Sequence, residues 1–361
     1  MPVVRNMTNA LLDDRLEAIR GAQITAGMTR AELDLSGGID SALMACLLVM
    51  ALGPENVTLV HSRFSTSSDQ TKRAQDLADA LNCPLVDAHL DQVWEILQAE
   101  MTRSLKAAGY DMDEIKARIE ADPTIEGSIR SCLRAPIGRG YNRMTGGGLR
   151  YGTGNECEDR FLRFYQKGGD GEVDNNPVVM LSKGEVYQLV WFLSKRLPLA
   201  ADVLIETIKA IPTPDLRKVS EAGYSDEDEL LSWTGVPFTY SRIDVETGEY
   251  NYVGTIERVS RFLDLSTGQP SFEGQLKNGD LLFSDNLSQD EMRALVNSAM
   301  EGSAFEGCQY TNTIGNTLNL LTAARRTERI TRHKENPAIP SYGTRAGLVA
   351  RGILTNNLPI I

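Results

Sequence analysis

The stretch AELDLSGGIDSALMACLLVMALG, residues 31–53, decides the fold. Residues 31–35 are predicted to form a short strand, and residues 40–52 are an apolar run typical of a buried helix. Gly37 and Gly38 between them allow a tight turn and a close approach of the backbone to an anion. The helix that follows directs its N–H groups and the positive end of its dipole at the same point. We therefore expect a phosphate-binding turn between a strand and a helix.

The side chains of the hexapeptide Ser36–Ser41 add to this anion site. Ser36 and Ser41 carry hydroxyl groups that can donate hydrogen bonds, and Asp40 is a carboxylate suited to a Mg²⁺ ion that bridges phosphates. The hexapeptide matches neither the GxxxxGK[ST] loop nor the GxGxxG turn of nicotinamide- and flavin-binding proteins. An ordinary strand-to-helix turn is the alternative for any Gly-Gly pair, but the Asp-Ser that follows favours a nucleotide site.

Strands and helices alternate around this turn. Strands are predicted over residues 57–61 and 84–90, and helices over 8–28 and 69–82. The alternation predicts an α/β, Rossmann-like fold: a parallel sheet flanked by helices, with ligands beyond the carboxyl ends of the strands. Further along, the sequence predicts a strand over 149–156 and helices over 92–120, 157–165, 183–197 and 314–333.

The remaining segments carry weaker patterns. Residues 167–177 hold too many Gly, Asp and Asn for regular structure and are predicted to form a loop. The acidic run DEDEL, residues 226–230, is more typical of a solvated face or a turn than of a metal site. Residues 243–310 show only short strand-like pieces such as EYNYV and DLLF, so we expect an inserted, peripheral subdomain. The tail is partly apolar and is expected to pack on the body or on a partner subunit. The predicted parts of the chain are 1–242, 243–313 and 314–361.

Composition bounds the class of protein. The chain has 361 residues, with 37 Lys and Arg against 49 Asp and Glu, a formal net charge of −12. A duplex-DNA binder needs a basic face, so this balance argues against nucleic acid as a partner. There is no run of about 18 apolar residues and no apolar amino-terminal stretch, so we expect neither a membrane span nor a signal peptide. The five cysteines form no CxxC pair, which favours free thiols in a reducing cytoplasm over disulfides or a zinc site.

Two groups of residues narrow the class further. The hexapeptide with its strand resembles the PP-loop of ATP pyrophosphatases, which have the adenine nucleotide alpha hydrolase-like fold. The downstream order resembles ammonia-dependent NAD synthetase: GTGNECE (152–158), KGGDG (167–171), Asp174, Lys183, PTPDL (212–216) and HKENP (333–337). Several families share SGGxDS, whereas the GDG loop and the His-Lys pair point to this one. KGGDG stands where the family has KYGDG, so the chain is similar to a divergent member.

This resemblance implies an amide ligase. ATP adenylates the nicotinate carboxylate of deamido-NAD and pyrophosphate leaves, after which ammonia attacks the acyl-adenylate to give NAD and AMP. The leaving group drawn from ATP is needed because a carboxylate is a poor electrophile. Negative charge gathers on the α-phosphate in the transition state, where Mg²⁺, a lysine and backbone N–H groups act by preorganised electrostatics.

The resemblance also implies roles for particular side chains. ATP binding falls to Ser36, Gly37, Gly38, Asp40, Ser41, Thr153, Lys183 and Thr213. Asp40 and Glu158 hold Mg²⁺, a cation that prefers oxygen ligands. Deamido-NAD contacts fall to Arg134, Lys167, Asp174, His333 and Lys334. Asp170 lies near the incoming ammonia and is catalytic together with Lys183. The alternatives are that Glu158 and Asp174 are surface carboxylates and that His333 and Lys334 only complement a helix dipole.

The partners follow from the same resemblance. No amidase segment with a Glu-Lys-Cys nucleophile set precedes the PP-loop, so free ammonia is the expected nitrogen donor. Family members are typically homodimers with the dinucleotide site at the subunit interface. The competing functions are another PP-loop ligase, such as one that amidates nicotinate mononucleotide or modifies tRNA, and a catalytically silent nucleotide-binding module. ATP-dependent release of pyrophosphate separates an enzyme from such a module.

Overall fold

The computed structural model describes residues 7–64, 66–122, 124–162, 165–166, 168–213, 224–234, 239–254, 256–257 and 345–355. The helix predicted over 314–333 and the strand-like piece DLLF lie outside these residues. Within the described ranges, no helix is long and apolar enough to cross a membrane.

A parallel sheet forms the centre of the described fold. Its strands are β1 (Ala31–Asp34), β2 (Val57–Arg63), β3 (Leu85–His89) and β4 (Leu149–Tyr151), in the spatial order β3-β2-β1-β4. β2 and β3 therefore lie on one side of β1, and β4 lies on its other side, so the direction of strand addition reverses at β1. Such a reversal opens a crevice beyond the carboxyl ends of the two strands that flank it, which is where ligands of open α/β sheets bind.

Helices cover both faces of this sheet. The inner strands β1 and β2 are therefore buried on both sides. They are α1 (Met7–Ala26), α2 (Ile39–Leu52), α3 (Ser68–Ala80), α4 (Asp91–Ala107), α5 (Met112–Ala121), α6 (Thr124–Met144), α7 (Lys183–Ser194), α8 (Ala201–Lys209), α9 (Asp226–Thr234) and α10 (Arg345–Ala350). A 3₁₀ turn (Pro54–Asn56) precedes β2, and a π-helical segment (Glu156–Leu162) follows β4.

Two apolar cores hold the helices to the sheet. The larger core joins α1, α2, α7 and α8 to the sheet around Leu33, Leu47 and Leu193, none of which is exposed to solvent. The smaller core centres on Phe64 and Trp94, against which the apolar side chains of α6 pack. The first core supports the helices that begin at the crevice, α2 and α7.

The described part of the region from 243 onward packs against the body. Strands β5 (Arg242–Ile243) and β6 (Tyr250–Tyr252) form an antiparallel hairpin. Trp191 Nε1 on α7 donates to the backbone O of Val245 at 2.8 Å. The tail does pack on the body in its described part: Leu348 of α10 and Leu354 are buried in the larger core.

The predicted elements around the turn are confirmed, with two differences elsewhere. The helical stretch predicted over 92–120 is two helices, α4 and α5, and Gly109 between them has φ 85°. Helix α6 is not among the predicted elements: it includes most of the Arg- and Gly-rich stretch 127–150, with Pro136 inside the helix. The acidic run 226–230, predicted as a solvated face or a turn, begins α9, with Asp228 exposed. None of the described cysteines (Cys46, Cys83, Cys132, Cys157) is in a disulfide.

Candidate active site

The turn that leaves β1 and enters α2 has the geometry of an anion site. Gly37 has φ 81°, a left-handed conformation that disfavours side chains, and a Cβ there would clash with the backbone O of Gln70. Gly38 is the N-cap residue of α2, and no described side chain caps that helix end by a hydrogen bond. The first N–H groups of α2 are therefore oriented toward the crevice without a capping side chain.

Serine hydroxyls brace this turn. Ser41 Oγ accepts from the backbone N of Ser36 at 3.2 Å, and it donates to the backbone O of Gly38 at 3.0 Å. Ser36 Oγ accepts from the backbone N of Gly38 at 3.2 Å. Both hydroxyls, predicted as ATP contacts, thus fix the shape of the turn and line the crevice.

Three charged side chains predicted as site residues meet beside the turn. Lys183 Nζ donates to Asp40 Oδ2 at 2.6 Å and to Glu158 Oε1 at 2.9 Å. Asn155 Nδ2 donates to the other oxygen of Asp40 at 2.9 Å. The Asp40 and Glu158 carboxylates, 118 residues apart in the sequence, therefore both contact the Lys183 ammonium.

Burial sets the electrostatics of this cluster. The Lys183 side chain is only 2% exposed, which by itself lowers its pKa, but the adjacent Asp40 and Glu158 carboxylates outweigh burial and hold the pKa well above its ordinary value. Burial raises the pKa of Glu158, against the opposing effect of the Lys183 ammonium. Lys183 is consequently a permanent cation at the carboxylate end of the crevice.

Local sequence positions each member of the cluster. Asp40 lies in the first turn of α2, and Lys183 is the first residue of α7. The amino-terminal ends of these two helices therefore position both side chains. Asn155 Oδ1 accepts from the backbone N of Glu158 at 3.2 Å, which shapes the start of the π-helical segment. Asn155 was part of the quoted GTGNECE motif but was not predicted as a site residue.

Tyr240 closes the cluster from the side of the hairpin. It is 1% exposed, and Lys183 Nζ lies 5.2 Å from the centroid of its ring, within range of a cation–π interaction. Its hydroxyl has no hydrogen-bond partner among the described residues. Burial, reinforced by Glu158, raises the pKa of this phenol well above its usual range. No motif in the sequence marked this residue.

Asp170 lies in the same crevice but is held by a different element. Its carboxylate accepts from Ser131 Oγ on α6 at 2.8 Å and from the backbone N of Gln166 at 2.8 Å. The residue keeps a solvent-accessible side toward the crevice, yet the surrounding protein desolvates the carboxylate and raises its pKa. Arg134 on α6 is the nearby cation that opposes this rise.

The other predicted ATP and dinucleotide residues divide into three groups. Thr153, Thr213 and Arg134 line the crevice, with Thr213 Oγ1 accepting from Gln70 Nε2 at 3.0 Å and Arg134 stacked 5.3 Å from the ring of Phe64. Asp174 does not line it: its Oδ2 accepts from the backbone N of Arg150 at 2.8 Å on β4. Lys167, His333 and Lys334 lie outside the described residues.

A charged network under the crevice escaped the sequence prediction. Arg150 Nη1 donates to both oxygens of Glu32 at 3.0 Å, and Arg150 Nη2 donates to Asp34 Oδ2 at 2.9 Å. Burial raises the pKa of Glu32 to about 7, although Arg150 pulls in the opposite direction. Asp34 and Arg150 line the crevice floor. Charged residues alternating with apolar ones in a central strand, as in AELDL, are the signal that could have found them.

The oxygen ligands fit a magnesium ion in part. Among the described residues, no group of three or more His, Cys, Asp or Glu side chains could hold a metal by itself. Asp40 and Glu158 both lie next to the turn, where a bound ion would share their carboxylates with the Lys183 ammonium. Mg²⁺ is usually bound by one or two carboxylates together with substrate phosphates and water, so this donor set suits it.

A Gly-rich turn at the end of a parallel strand, facing a lysine between two carboxylates, is the arrangement expected of a nucleotide-binding α/β protein and agrees with the resemblance of Ser36–Ser41 to a PP-loop. It differs from the Walker and dinucleotide-binding folds in both its turn and its acidic partner residues.

Comparisons with known proteins narrow this class. Residues 11–246 match the family model described as NAD synthase. The chain is 32% identical over 219 residues to the NH(3)-dependent NAD(+) synthetase of Methanococcoides burtonii, covering 60% of this chain and 70% of that protein. It is 33% identical over 221 residues to the enzyme of that name from Methanosarcina acetivorans, covering 60% and 74%. The chain belongs to the NAD synthase family.

A solved structure supports the fold alone. A glutamine-dependent NAD(+) synthetase from Cytophaga hutchinsonii is 13% identical, with a TM-score of 0.56 over 92% of this chain and 50% of that one.

Proposed function

We propose that this chain catalyses the ATP-dependent amidation of deamido-NAD by ammonia, giving NAD, AMP and pyrophosphate. The observation that carries the proposal is the meeting of Asp40, Glu158 and Lys183 beside the turn after β1. Membership of the NAD synthase family and the names of the two archaeal relatives support the substrates.

In the first step, an oxygen of the nicotinate carboxylate bonds to the α-phosphorus of ATP, and the bond to the β-phosphate oxygen breaks. The turn Ser36–Gly38 and the start of α2 hold the departing pyrophosphate by their N–H groups. Lys183 places a fixed positive charge where the α-phosphate gathers negative charge. Mg²⁺ bound by Asp40 and Glu158 would neutralise further phosphate charge.

In the second step, ammonia attacks the acyl carbon of the adenylate and AMP leaves. A proton must leave the nitrogen, and we assign its removal to Asp170, whose carboxylate faces the crevice. A desolvated carboxylate with a raised pKa is a stronger base than an exposed aspartate, which suits this task. Arg134 beside it is the proposed cation for the substrate.

The rest of the dinucleotide site is assigned from the resemblance. Lys167, His333 and Lys334 would contact deamido-NAD, and Asp174 would act at the edge of the site by holding β4. We assign the chemistry to residues 1–242, with 314–361 completing the substrate site. A homodimer is proposed on the same grounds, and sedimentation velocity of the purified chain tests it.

The test uses the full chain with ATP, Mg²⁺, ammonium and deamido-NAD, and a parallel reaction with nicotinate mononucleotide. AMP, NAD and nicotinamide mononucleotide are separated and quantified by chromatography. We expect AMP and NAD to form in equal amounts in the dinucleotide reaction. Amidation of the mononucleotide alone would make the substrate assignment wrong.

Variants connect this activity to the cluster. D40A and E158A should abolish AMP formation, because each removes a carboxylate that holds Lys183 and the proposed ion. E120A is the matched control, since it removes a carboxylate that is 69% exposed on α5. A folded wild-type chain that releases neither AMP nor pyrophosphate would favour a silent nucleotide-binding module instead.

A further inference from the structure

Arg345, the first residue of α10, is buried in the body of the protein, with its side chain 3% exposed. Its guanidinium forms a two-pronged ion pair with Glu185: Nη1 donates to Oε2 and Nη2 donates to Oε1, each at 2.8 Å. It also donates to the backbone O of Met180 at 3.0 Å and to the backbone O of Thr355 at 2.8 Å. These contacts connect the carboxy-terminal segment to the start of α7.

Glu185 is the residue that shapes the start of α7. Ser182 is the N-cap residue, and its Oγ accepts from the backbone N of Glu185 at 3.3 Å. Glu185 Oε2 in turn accepts from the backbone N of Ser182 at 2.8 Å, which completes a capping box. Lys183 lies inside this box. The Glu185 carboxylate therefore fixes the backbone on both sides of the lysine.

Arg345 also reaches the element that carries Glu158. Its Nη1 lies 3.6 Å from Glu156 Oε2, and Glu156 is the first residue of the π-helical segment. The backbone N of Glu156 donates to the backbone O of Leu181 at 2.7 Å. One guanidinium thus contacts both the segment that carries Glu158 and the helix that carries Lys183. These two residues form an ion pair in the crevice.

The charge on Arg345 is needed at this point. The Glu156 and Glu185 side chains are 3% and 8% exposed, so both carboxylates are largely removed from water. Removing one partner of a buried ion pair leaves a desolvated charge behind. A guanidinium is planar and can bind a carboxylate through two parallel N–H groups, which a lysine ammonium cannot reproduce.

We infer that Arg345 is a positioning residue for the reaction: it holds the capping box of α7 and the start of the π-helical segment together so that Lys183 and Glu158 face Asp40. The inference rests on the proposed function, because it gives Lys183 a role in adenylation. Arg345 lies beyond residues 11–246, the part that matches the family model. The site is therefore completed by a segment outside that match.

The segment has other anchors, so its docking does not depend on Arg345 alone. Leu348 and Leu354 are 0% and 3% exposed in the larger core. Arg351 Nη2 lies 2.6 Å from Asp14 Oδ1 of α1, with its own side chain 55% exposed. Arg351 consequently provides a matched control: it also links this segment to the body, but away from the crevice.

The experiment compares R345M, R345K and E185Q with R351M in the complete chain. Pyrophosphate release is measured at saturating ATP and deamido-NAD. The rate is divided by the amount of folded protein, as judged by circular dichroism. We expect R345M and E185Q to lower kcat roughly 10- to 100-fold, the usual effect of losing a group that orients a catalytic residue. KM for ATP should change little, R345K should fall between wild type and R345M, and R351M should keep the wild-type kcat.

A double variant separates positioning from a general structural effect. If Arg345 acts through Glu185, R345M/E185Q should be no slower than the slower single variant, because both changes break the same interaction. Independent, multiplying losses would overturn the inference, as would wild-type kcat in E185Q. E185Q keeps the size of the side chain, so this variant still tests the role of Arg345 if R345M does not fold. If the wild-type chain makes no AMP, the proposed function is wrong. If the wild-type chain is active and E185Q has the same kcat, only the role of Arg345 is rejected.

Discussion

Lys183 is the side chain on which the proposed chemistry most depends. It is buried, it donates to both Asp40 and Glu158, and its raised pKa keeps it charged at any working pH. We predict that K183M lowers the rate of pyrophosphate release by about 10²–10³-fold, the usual loss when one preorganised charge is removed from a transition state. Stopped assays of pyrophosphate with saturating substrates measure this.

Lys195, on the other end of the same helix, offers the control for that variant. It is exposed and lies 5.0 Å from the ring centroid of Trp191, far in sequence from the crevice end of α7. K195M removes the same charge and should leave the rate unchanged. An equal loss in both variants would show that net charge, not the position of Lys183, governs the rate.

Asp170 can be tested by separating the two half-reactions. D170N should still exchange pyrophosphate with ATP in the presence of deamido-NAD, because the proposed mechanism uses this carboxylate only in the ammonia step. Its formation of NAD from ammonium should fall by roughly 10²–10⁴-fold, the range for loss of a general base. A parallel loss of exchange would mean that Asp170 acts in adenylation or in folding instead.

The pH dependence of the same residue has a definite sign. Desolvation by the surrounding protein raises the pKa of Asp170, so activity with ammonium should be lost on the acid side at a higher pH than for an aspartate in water. The hydrogen bond from Ser131 stabilises the ionised form and lowers that pKa. S131A should therefore shift the acid limb of kcat/KM to still higher pH. A shift toward lower pH, or none, would contradict the assignment.

At the scale of elements, the start of α7 combines a cap with Lys183, the residue proposed to be catalytic. Ser182 Oγ donates to Glu257 Oε1 at 2.6 Å, and Tyr250 donates to the same oxygen at 3.1 Å. We predict that S182A lowers the free energy of unfolding by about 0.5–2 kcal/mol, the usual cost of losing an N-cap, and also lowers kcat. Urea unfolding and the pyrophosphate assay measure the two effects.

The cap of α5 is the control at this scale. Asp111 is exposed and accepts from the backbone N of Asp113 at 2.9 Å, far from the crevice lining. D111A should cost a similar free energy of unfolding while kcat stays at the wild-type value. If S182A leaves kcat unchanged as well, the cap stabilises α7 without orienting Lys183.

The elements that local sequence determines were the predictable ones. The short β1 strand, the turn after it and α2 follow from the apolar run of α2 and from Gly37, whose backbone conformation only glycine readily adopts. Helix α6 was not assigned because Pro136, Gly138 and Gly140 weaken its local helix propensity. Tertiary packing outweighs propensity there: Gly138 lies directly against Arg150, so a side chain at 138 would clash with the guanidinium.

At the scale of the whole molecule, the site draws on parts of the chain that no periodicity connects. Motif resemblance predicted Asp40, Glu158, Lys183 and Asp170, and all of them line the crevice. Tyr240 and Arg345 were not predicted, since their contacts depend on how distant segments pack. Arg345 and Glu185 are 160 residues apart, a separation at which the sequence pattern carries no information about contact.

The carboxy-terminal segment should also contribute stability to the whole fold. Leu348 has no exposed surface within the larger core. L348A should therefore lower the free energy of unfolding by about 2–5 kcal/mol, the usual cost of a buried Leu-to-Ala change. Urea unfolding followed by fluorescence measures it. L199A, at a leucine that is 84% exposed, should have almost no effect, and equal effects would place Leu348 outside the core.

The ion pair between Arg345 and Glu185 has a consequence for the newborn chain. A ribosome adds about 5–20 residues per second, so about 10–30 s pass between the synthesis of Glu185 and that of Arg345. During this interval the Glu185 carboxylate in the α7 capping box lacks the Arg345 guanidinium that later neutralises it. The segment that forms β1, its turn and α2 is thus complete long before Arg345 is made, while the start of α7 gains its neutralising guanidinium only after the segment that carries α10 has been synthesised.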